Sequence, residues 1–165
     1  MNARSWGLVA AIGSLAADQG SKVLLLYGFG FATLAPGARP FASPVLDLVM
    51  AWNPGISFSF LAAHSRVGVA ALALAALAGI AALGTWLWRS THHWVCVGLG
   101  LIIGGAIGNL VDRLVYGRVA DFFDIHLGQH NFFACNIADV MISCGVVLLL
   151  ADSLLIASPV PKERP

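Results

Sequence analysis

The sequence predicts an all-α membrane protein, in which four transmembrane helices form a single domain. Of its 165 residues, 59% are hydrophobic and only 10% are charged, whereas soluble domains carry about 25% charged residues. A helix needs roughly 20 mainly apolar residues to cross the hydrocarbon core, and four runs are long enough. They cover residues 5–27, 67–88, 94–115 and 136–157.

The first run carries Asp18 and Lys22 near its end. No small-residue cleavage site followed by a polar region interrupts it, so we interpret it as a retained span and not as a removed signal. The third run contains several glycines before Asn109. Because glycines let a neighbouring helix approach closely, we expect the third helix to be central in the bundle.

The connector at 28–66 is too long for a simple turn, and its prolines divide it into pieces. Residues Val45–Trp52 are rich in β-favouring residues and predict a strand. Asn53–Gly55 is a turn signal, and Ser57–His64 predicts a short interfacial helix. We interpret residues 116–135, between the third and fourth runs, as a loop of medium length.

Four spans place both termini on the same side of the membrane. Short segments rich in Lys and Arg favour the cytoplasm, and the terminal side has four such residues in short segments, which are Arg4, Arg89, Lys162 and Arg164. We therefore expect cytoplasmic termini.

Polar clusters interrupt the apolar sequence at four places. They are Asp18–Lys22, Asn53–Gly55, Asn109–Arg113 with Asp121 after it, and Asn136–Asp139. Because successive spans alternate in direction, all four clusters fall at the same membrane face, whichever way the protein is inserted. Ionisable groups beside long apolar runs are costly in lipid and usually face a functional protein interior.

Helical spacing suggests which of these side chains act together. Asp18 and Lys22 are four residues apart and can form an ion pair that stabilises the end of the first helix. Asn109, Asp112 and Arg113 also share one helical face. This second group is either a structural network or a set that positions a substrate or a catalytic carboxylate.

The fourth run begins with a predicted inward-facing polar stripe of Asn136, Asp139 and Ser143. Asp121 lies at the same membrane depth and can reach Asp139. Two carboxylates that share a site titrate as a coupled pair, and such a pair can activate water and protonate a leaving amine. Spacing leaves open whether the partner of Asp139 is Asp121 or Asp112.

Other site types receive little support. A net charge of +1 argues against nucleic acid, which needs a concentrated basic face. The three cysteines form no CxxC pair. Together with Asp121, the residues Asp124, His126 and His130 make a loose set without a strong metal-ligand spacing. We expect the latter three to be solvated loop residues, and we expect neither metal nor cofactor.

Two other functional classes are compatible with intramembrane charges. A small transporter or proton conductor also uses Asp, Lys and Arg within the membrane, but it needs polar groups across the bilayer depth, and here they crowd one face. A non-catalytic assembly factor is the third class, and it predicts that single Asp→Asn changes are tolerated.

Taken together, the clusters resemble the lipoprotein signal peptidase (signal peptidase II) family, the bacterial inner-membrane aspartyl peptidases that process prolipoproteins. The similar segments are Asp18–Lys22, Asn53–Ser59, Gly104–Arg113, Gly117–Phe122 and Asn136–Asp139. Two departures from the family pattern are Ala120, where a larger β-branched residue is commoner, and Cys135, where an aromatic residue usually stands. Both would neighbour the dyad and concern the fit of the substrate.

The resemblance implies that Asp121 and Asp139 are the catalytic dyad. It further implies that Asn53, Asn109, Asp112, Arg113 and Asn136, with Gly55 in the Asn53 turn, position the substrate or the dyad. The implied reaction is cleavage before a diacylglyceryl-modified cysteine, with sensitivity to the cyclic peptide globomycin and without a cofactor. The implied setting is the bacterial inner membrane, with a monomeric enzyme, a small extracytoplasmic β-element and a site near the periplasmic face.

Overall fold

A computed structural model describes residues 1–35, 38–55, 66–127 and 130–155. Within these residues, four helices are long and apolar enough to cross a membrane, as predicted. They are α1 (Ala3–Val23), α2 (Arg66–Arg89), α3 (His93–Tyr116) and α4 (Ile137–Leu155). A π-helical turn, Leu24–Gly28, continues α1. The predicted interfacial helix Ser57–His64 and the predicted end of the fourth span at 157 lie outside the described residues.

Helix α3 is the centre of the bundle, and its glycines explain why. A Cβ built on Gly105 would lie 2.6 Å from the carbonyl oxygen of Ala138 on α4, and one on Gly98 would lie 3.0 Å from that of Gly145. On the α1 side, a Cβ on Gly104 would clash with the backbone of Ala11. Small residues thus allow two helices to pack directly against α3.

The polar end of the bundle carries a sheet of three antiparallel strands in the order β1-β2-β3. The strands are β1 (Leu46–Asn53), β2 (Val119–Leu127) and β3 (His130–Cys135). Strand β1 matches the predicted Val45–Trp52 within one residue. The prediction of a loop over 116–135 was wrong, because most of this segment forms the hairpin β2–β3. Its acidic and apolar residues do not alternate cleanly, so it lacks the usual signature of a strand.

Two groups of side chains attach the sheet to the rest of the fold. A small core of Leu26, Phe31, Ala120 and Phe122 packs between the end of α1 and strand β2. Asp47 and Asp124 lie opposite each other in the β1–β2 register, and Arg39 pairs with both of them. His126 Nε2 also lies 3.1 Å from Asp47 Oδ1.

These contacts change the acidity of Asp47. Its partial burial alone would raise the pKa of the carboxyl, but hydrogen bonds from Arg39, His126 and Ser43 outweigh burial and lower the pKa to about 2. The network therefore keeps this carboxylate ionised and ties the connector to the sheet.

The opposite end of the bundle gathers both ends of the described chain. The guanidinium carbon of Arg4 lies 5.5 Å from the centre of the Trp88 ring, and His92 Nδ1 lies 2.9 Å from Asp152. Four exposed tryptophans also lie near this end, namely Trp6, Trp86, Trp88 and Trp94. Tryptophan is enriched at membrane–water interfaces. The bundle thus separates a terminal end from a polar end that carries the sheet.

Candidate active site

Lys22 lies at the centre of a buried charge cluster at the polar end. Its Nζ is 2.8 Å from Asp18 Oδ2, the pair that helical spacing predicts, and 2.7 Å from Asp112 Oδ2 on α3. All three side chains are almost fully buried. Gln19 donates to both carboxylates, at 3.0 Å to Asp18 and 3.2 Å to Asp112. The cluster therefore joins α1 to α3 through one cation shared by two anions.

The same two carboxylates hold the backbone beside the predicted dyad. Asp112 Oδ2 accepts a hydrogen bond from the backbone N–H of Ala120 at 3.1 Å, and Asp18 Oδ1 accepts one from that of Ala138 at 2.9 Å. The residue after each of these alanines is one of the two predicted catalytic aspartates. The Lys22 cluster thus fixes β2 and the start of α4 relative to each other.

Asn136 connects the two aspartates directly. Its Nδ2 donates to Asp121 Oδ1 at 2.7 Å, and its backbone N–H donates to Asp139 Oδ2 at 3.2 Å. Its Oδ1 accepts the backbone N–H of Asp139 at 3.1 Å. This reciprocal pair is a capping box at the start of α4, so one fully buried residue starts the helix and bridges both carboxylates.

Asn109 completes the bridge from α3. Its Nδ2 donates to Asp139 Oδ1 at 3.0 Å, and its Oδ1 accepts from Asn136 Nδ2 at 3.1 Å. Lys22 Nζ lies 3.3 Å from the same Oδ1. Asn109 therefore links the buried charge cluster to the half-buried Asp139.

Asp121 lies on β2 and is only 2% exposed. Besides the bond from Asn136, its Oδ2 accepts Asn53 Nδ2 at 3.2 Å. Burial and the nearby charge of Asp139 raise the pKa of Asp121 to about 7, although the bonds from Asn53 and Asn136 act in the opposite direction. This carboxyl can hold or release a proton near neutral pH, as general acid–base catalysis requires.

Arg113 anchors the turn after β1. Its Nη2 donates to the carbonyl oxygen of Gly55 at 2.8 Å, and its Nη1 donates to that of Asn109 at 3.1 Å. The turn itself is closed by Asn53 Oδ1, which accepts the N–H of Gly55 at 3.0 Å. The predicted Asn53–Gly55 turn is therefore present, and it meets α3 beside the aspartates.

Comparison with known proteins agrees with this geometry. Residues 10–155 match the family model described as signal peptidase (SPase) II. The chain belongs to the signal peptidase II family. It is 45% identical to a lipoprotein signal peptidase of Methylocella silvestris, over 95% of this chain and 90% of that protein. It is 48% identical to one of Rhodopseudomonas palustris strain TIE-1, over 90% and 92%.

A solved structure titled as a bacterial membrane enzyme has the same fold. The TM-score is 0.76 at 23% identity, and the match covers 96% of this chain and 93% of that one. The predicted family resemblance is confirmed, and membership in the signal peptidase II family implies a protease. The four membrane helices make this signal peptidase II homologue a multi-pass membrane protein.

Two sequence-based expectations about the polar side chains need correction. Ser143 does not extend the inward stripe, because it is exposed and donates to the carbonyl oxygen of Asp139 on its own helix. Asp124 and His126 are not solvated loop residues, because both are buried side chains of β2 that pair with Arg39 and Asp47, respectively. Among the described residues, no group of three or more His, Cys, Asp or Glu side chains is arranged to hold a metal.

Sequence reasoning also missed the contacts that two polar residues make between α1 and α3. Asp112 was considered as a partner for Asp139, but its closest contact is the buried ion pair with Lys22. Gln19 received no role, although it donates to both anions of that pair. Their positions at the same end of α1 and α3 were the available signal, but spacing along one helix says nothing about contacts between two helices.

Proposed function

We propose that this protein is an intramembrane aspartyl endopeptidase that removes the signal peptide from prolipoproteins. Cleavage takes place at the bond before the diacylglyceryl-modified cysteine, with Asp121 and Asp139 as the catalytic dyad. The observation that carries the proposal is the Asn136 bridge, because one buried residue hydrogen-bonds both carboxylates. Relatives named lipoprotein signal peptidase support the substrate class.

The surroundings of the two carboxylates favour different protonation states. Asp139 lies in the first turn of α4, where the helix dipole stabilises a negative charge. Asp121 lies outside the helix, and its pKa is raised to about 7. We assign the shared proton to Asp121 and the negative charge to Asp139.

The reaction then follows as general acid–base catalysis. Asp139 removes a proton from a water that attacks the scissile carbonyl carbon, and Asp121 donates its proton to the carbonyl oxygen. In the collapse of the tetrahedral intermediate, Asp139 gives its proton to the leaving amine while Asp121 recovers one from the hydroxyl. Both side chains return to their starting states, and no metal or cofactor takes part.

The remaining predicted site residues position these groups. Asn53, Asn109 and Asn136 orient the carboxylates through side-chain amides. Arg113 holds the carbonyl of Gly55 in the turn beside them. Asp112 acts through Lys22 and the β2 backbone, so its role is structural support of the dyad, as is that of Asp18.

We place the enzyme in the bacterial inner membrane as a monomer, with cytoplasmic termini and the site near the periplasmic face. The lipidated substrate enters laterally, since the side chains of α2 are largely exposed and apolar, and its acyl chains rest on membrane lipid and helix faces. The cyclic peptide globomycin is expected to compete for the same site.

Purified enzyme in detergent tests the proposal directly. We expect it to cleave a prolipoprotein that carries a diacylglyceryl-cysteine, and to leave the matched unlipidated protein intact. Globomycin should block cleavage and a metal chelator should not. Absence of cleavage, together with ion or solute flux in liposomes, would instead support the transporter hypothesis.

The pH dependence of turnover should reflect the proton on Asp121. Because a pKa of about 7 means that the carboxyl loses its proton as the pH rises through neutrality, kcat should fall above about pH 7. A bound substrate that excludes water will raise the pKa of Asp121 further, so the fall in kcat will begin at a higher pH. Initial rates between pH 5 and 9 at saturating substrate measure it, and a rate that keeps rising to pH 9 contradicts the assignment of the acid.

A further inference from the structure

An aromatic stack lies on the face of the sheet opposite Asp121. The guanidinium carbon of Arg118 is 4.6 Å from the centre of the Trp52 ring. The Trp52 ring is 5.3 Å from that of Tyr116, and the Tyr116 hydroxyl is 3.1 Å from that of Tyr27. Four side chains, from the π-helical turn after α1, the end of α3, β1 and the residue just before β2, thus form one continuous group.

The stack meets the site at Trp52. Trp52 pairs with Ala120 in the β1–β2 register, and it packs against the core cluster that includes Phe122. Successive residues of a strand point to opposite faces, so an anchored Trp52 directs its neighbour Asn53 to the other face. There Asn53 Nδ2 donates to Asp121 Oδ2 at 3.2 Å.

Arg118 is the exposed end of this chain of contacts. It follows Gly117, whose φ of +71° ends α3, and it precedes Val119, the partner of Asn53 in the strand register. A cation over an indole is attracted by the ring at this distance. Arg118 therefore holds the last residues of β1 from the outside, while Tyr116 holds them from the side of the helix bundle.

We propose that Arg118 is a positioning residue for the dyad, acting through its stack on Trp52 to keep Asn53 on Asp121. This inference rests on the proposed function. Trp52 should consequently tolerate only a residue that offers Arg118 a ring face. The expected effect is on the chemical step, since the contacts described for Arg118 lie on the face of the sheet away from the carboxylates.

The bond from Asn53 lowers the pKa of Asp121, which supplies a specific readout. The charged groups that act on Asp121 from other elements are Asp139 on α4, Lys22 on α1 and Arg113 on α3, and the changes below leave all three in place. When Asn53 is loosened, Asp121 keeps its proton to higher pH. The falling limb of the kcat profile should then move upward.

The test compares Arg118→Met, which keeps an unbranched apolar stem but loses the guanidinium group and its charge, with Arg118→Lys, which keeps a cation. Arg118→Met should lower kcat about 3- to 10-fold, leave KM within twofold and move the falling limb of the kcat–pH profile to higher pH. Arg118→Lys should restore most of the kcat and most of the original position of that limb. The matched control is Arg4→Met, which removes the corresponding stack on Trp88 at the opposite end of the bundle and should change neither.

Asn53→Ala should move the falling limb of the kcat–pH profile in the same direction and further. If Arg118 acts through Asn53, the double variant Asn53→Ala/Arg118→Met should show no additional shift, because the effects of coupled residues are not additive. If the wild type cleaves and the Arg118→Met profile coincides with it, this inference is wrong and the proposed function stands. If the wild type does not cleave, the proposed function itself fails. Thermal melts of all variants check that each one is folded.

Discussion

Replacement of Asp121 or Asp139 by asparagine is expected to reduce cleavage of a lipidated prolipoprotein to background, a loss of about 10⁴-fold or more. Each asparagine keeps the shape of the side chain but can neither take a proton from water nor deliver one to the substrate, and positioned proton transfer contributes up to about 10⁴-fold for each group. The measurement is the single-turnover rate of signal peptide release at pH 6–7.

Asp124→Asn is the matched control, because Asp124 lies on the same strand and belongs to the Arg39 network, away from the Asn136 bridge. It should retain cleavage within a few-fold. Turnover within tenfold of the wild type by either dyad variant would contradict the assignment and would favour the non-catalytic hypothesis. Substrate binding should survive in both dyad variants, as measured by competition with globomycin.

Stability provides an independent check on Asp121→Asn. A carboxyl whose pKa rises from an ordinary 3.8 to about 7 on folding stabilises the fold below the unfolded pKa, and that contribution is lost as pH rises through about 7. The melting temperature of the wild type should therefore decline between pH 4 and 8 more steeply than that of Asp121→Asn. Equal slopes would mean that Asp121 titrates normally in the folded protein.

The helices could be predicted from the sequence because a single physical requirement determines where a membrane-spanning helix can lie. A span must be apolar over about 20 residues, and the residues that interrupt such runs also mark the ends, as Arg66 and Arg89 do for α2. The glycines of α3 likewise indicated its central place, because close packing of two helices needs small residues wherever they meet.

The hairpin β2–β3 could not be predicted in the same way. Its strand β2 is buried on both faces, with Asp121 directed to one side and Phe122 to the other, so neither alternation nor a continuous apolar run is visible. Alternation across a strand also means that the side chain that belongs to the site and the one that belongs to the core are neighbours in sequence. Only the pairing with β1 distinguishes them.

Helical spacing alone could not choose between Asp112 and Asp121 as the partner of Asp139, for a related reason. Asp112 lies near the end of the third span and Asp121 shortly after that span, so spacing allows either one to meet Asp139. What separates them is Lys22 on another helix, whose Nζ lies 2.7 Å from Asp112 and so leaves Asp121 as the carboxyl bonded to Asn136. Charge pairing between helices depends on their rotation, which hydropathy does not encode.

Lys22→Met should be the most destabilising single change at the polar end. Two buried carboxylates, Asp18 and Asp112, would lose the cation they share. Removing one partner of a buried ion pair costs about 3–5 kcal/mol, because the remaining charge stays desolvated. We expect the melting temperature in detergent to fall by about 10 °C, and cleavage to fall with it, since these carboxylates hold the backbone beside both proposed catalytic aspartates.

Restoring the charge balance separates this electrostatic cause from loss of packing. Asp112→Asn in the Lys22→Met background removes one uncompensated charge. The side-chain oxygen of the substituted asparagine can still accept the hydrogen bond from the Ala120 N–H. The double variant should therefore recover part of the lost melting temperature, although Asp112→Asn alone should lower it. Arg66→Met, at the exposed start of α2, is the control for loss of a cation at the surface and should melt as the wild type does. A Lys22→Met protein that melts within 2 °C of the wild type would mean that the two anions are neutralised in some other way, and the Lys22 cluster could not be what fixes β2 against α4.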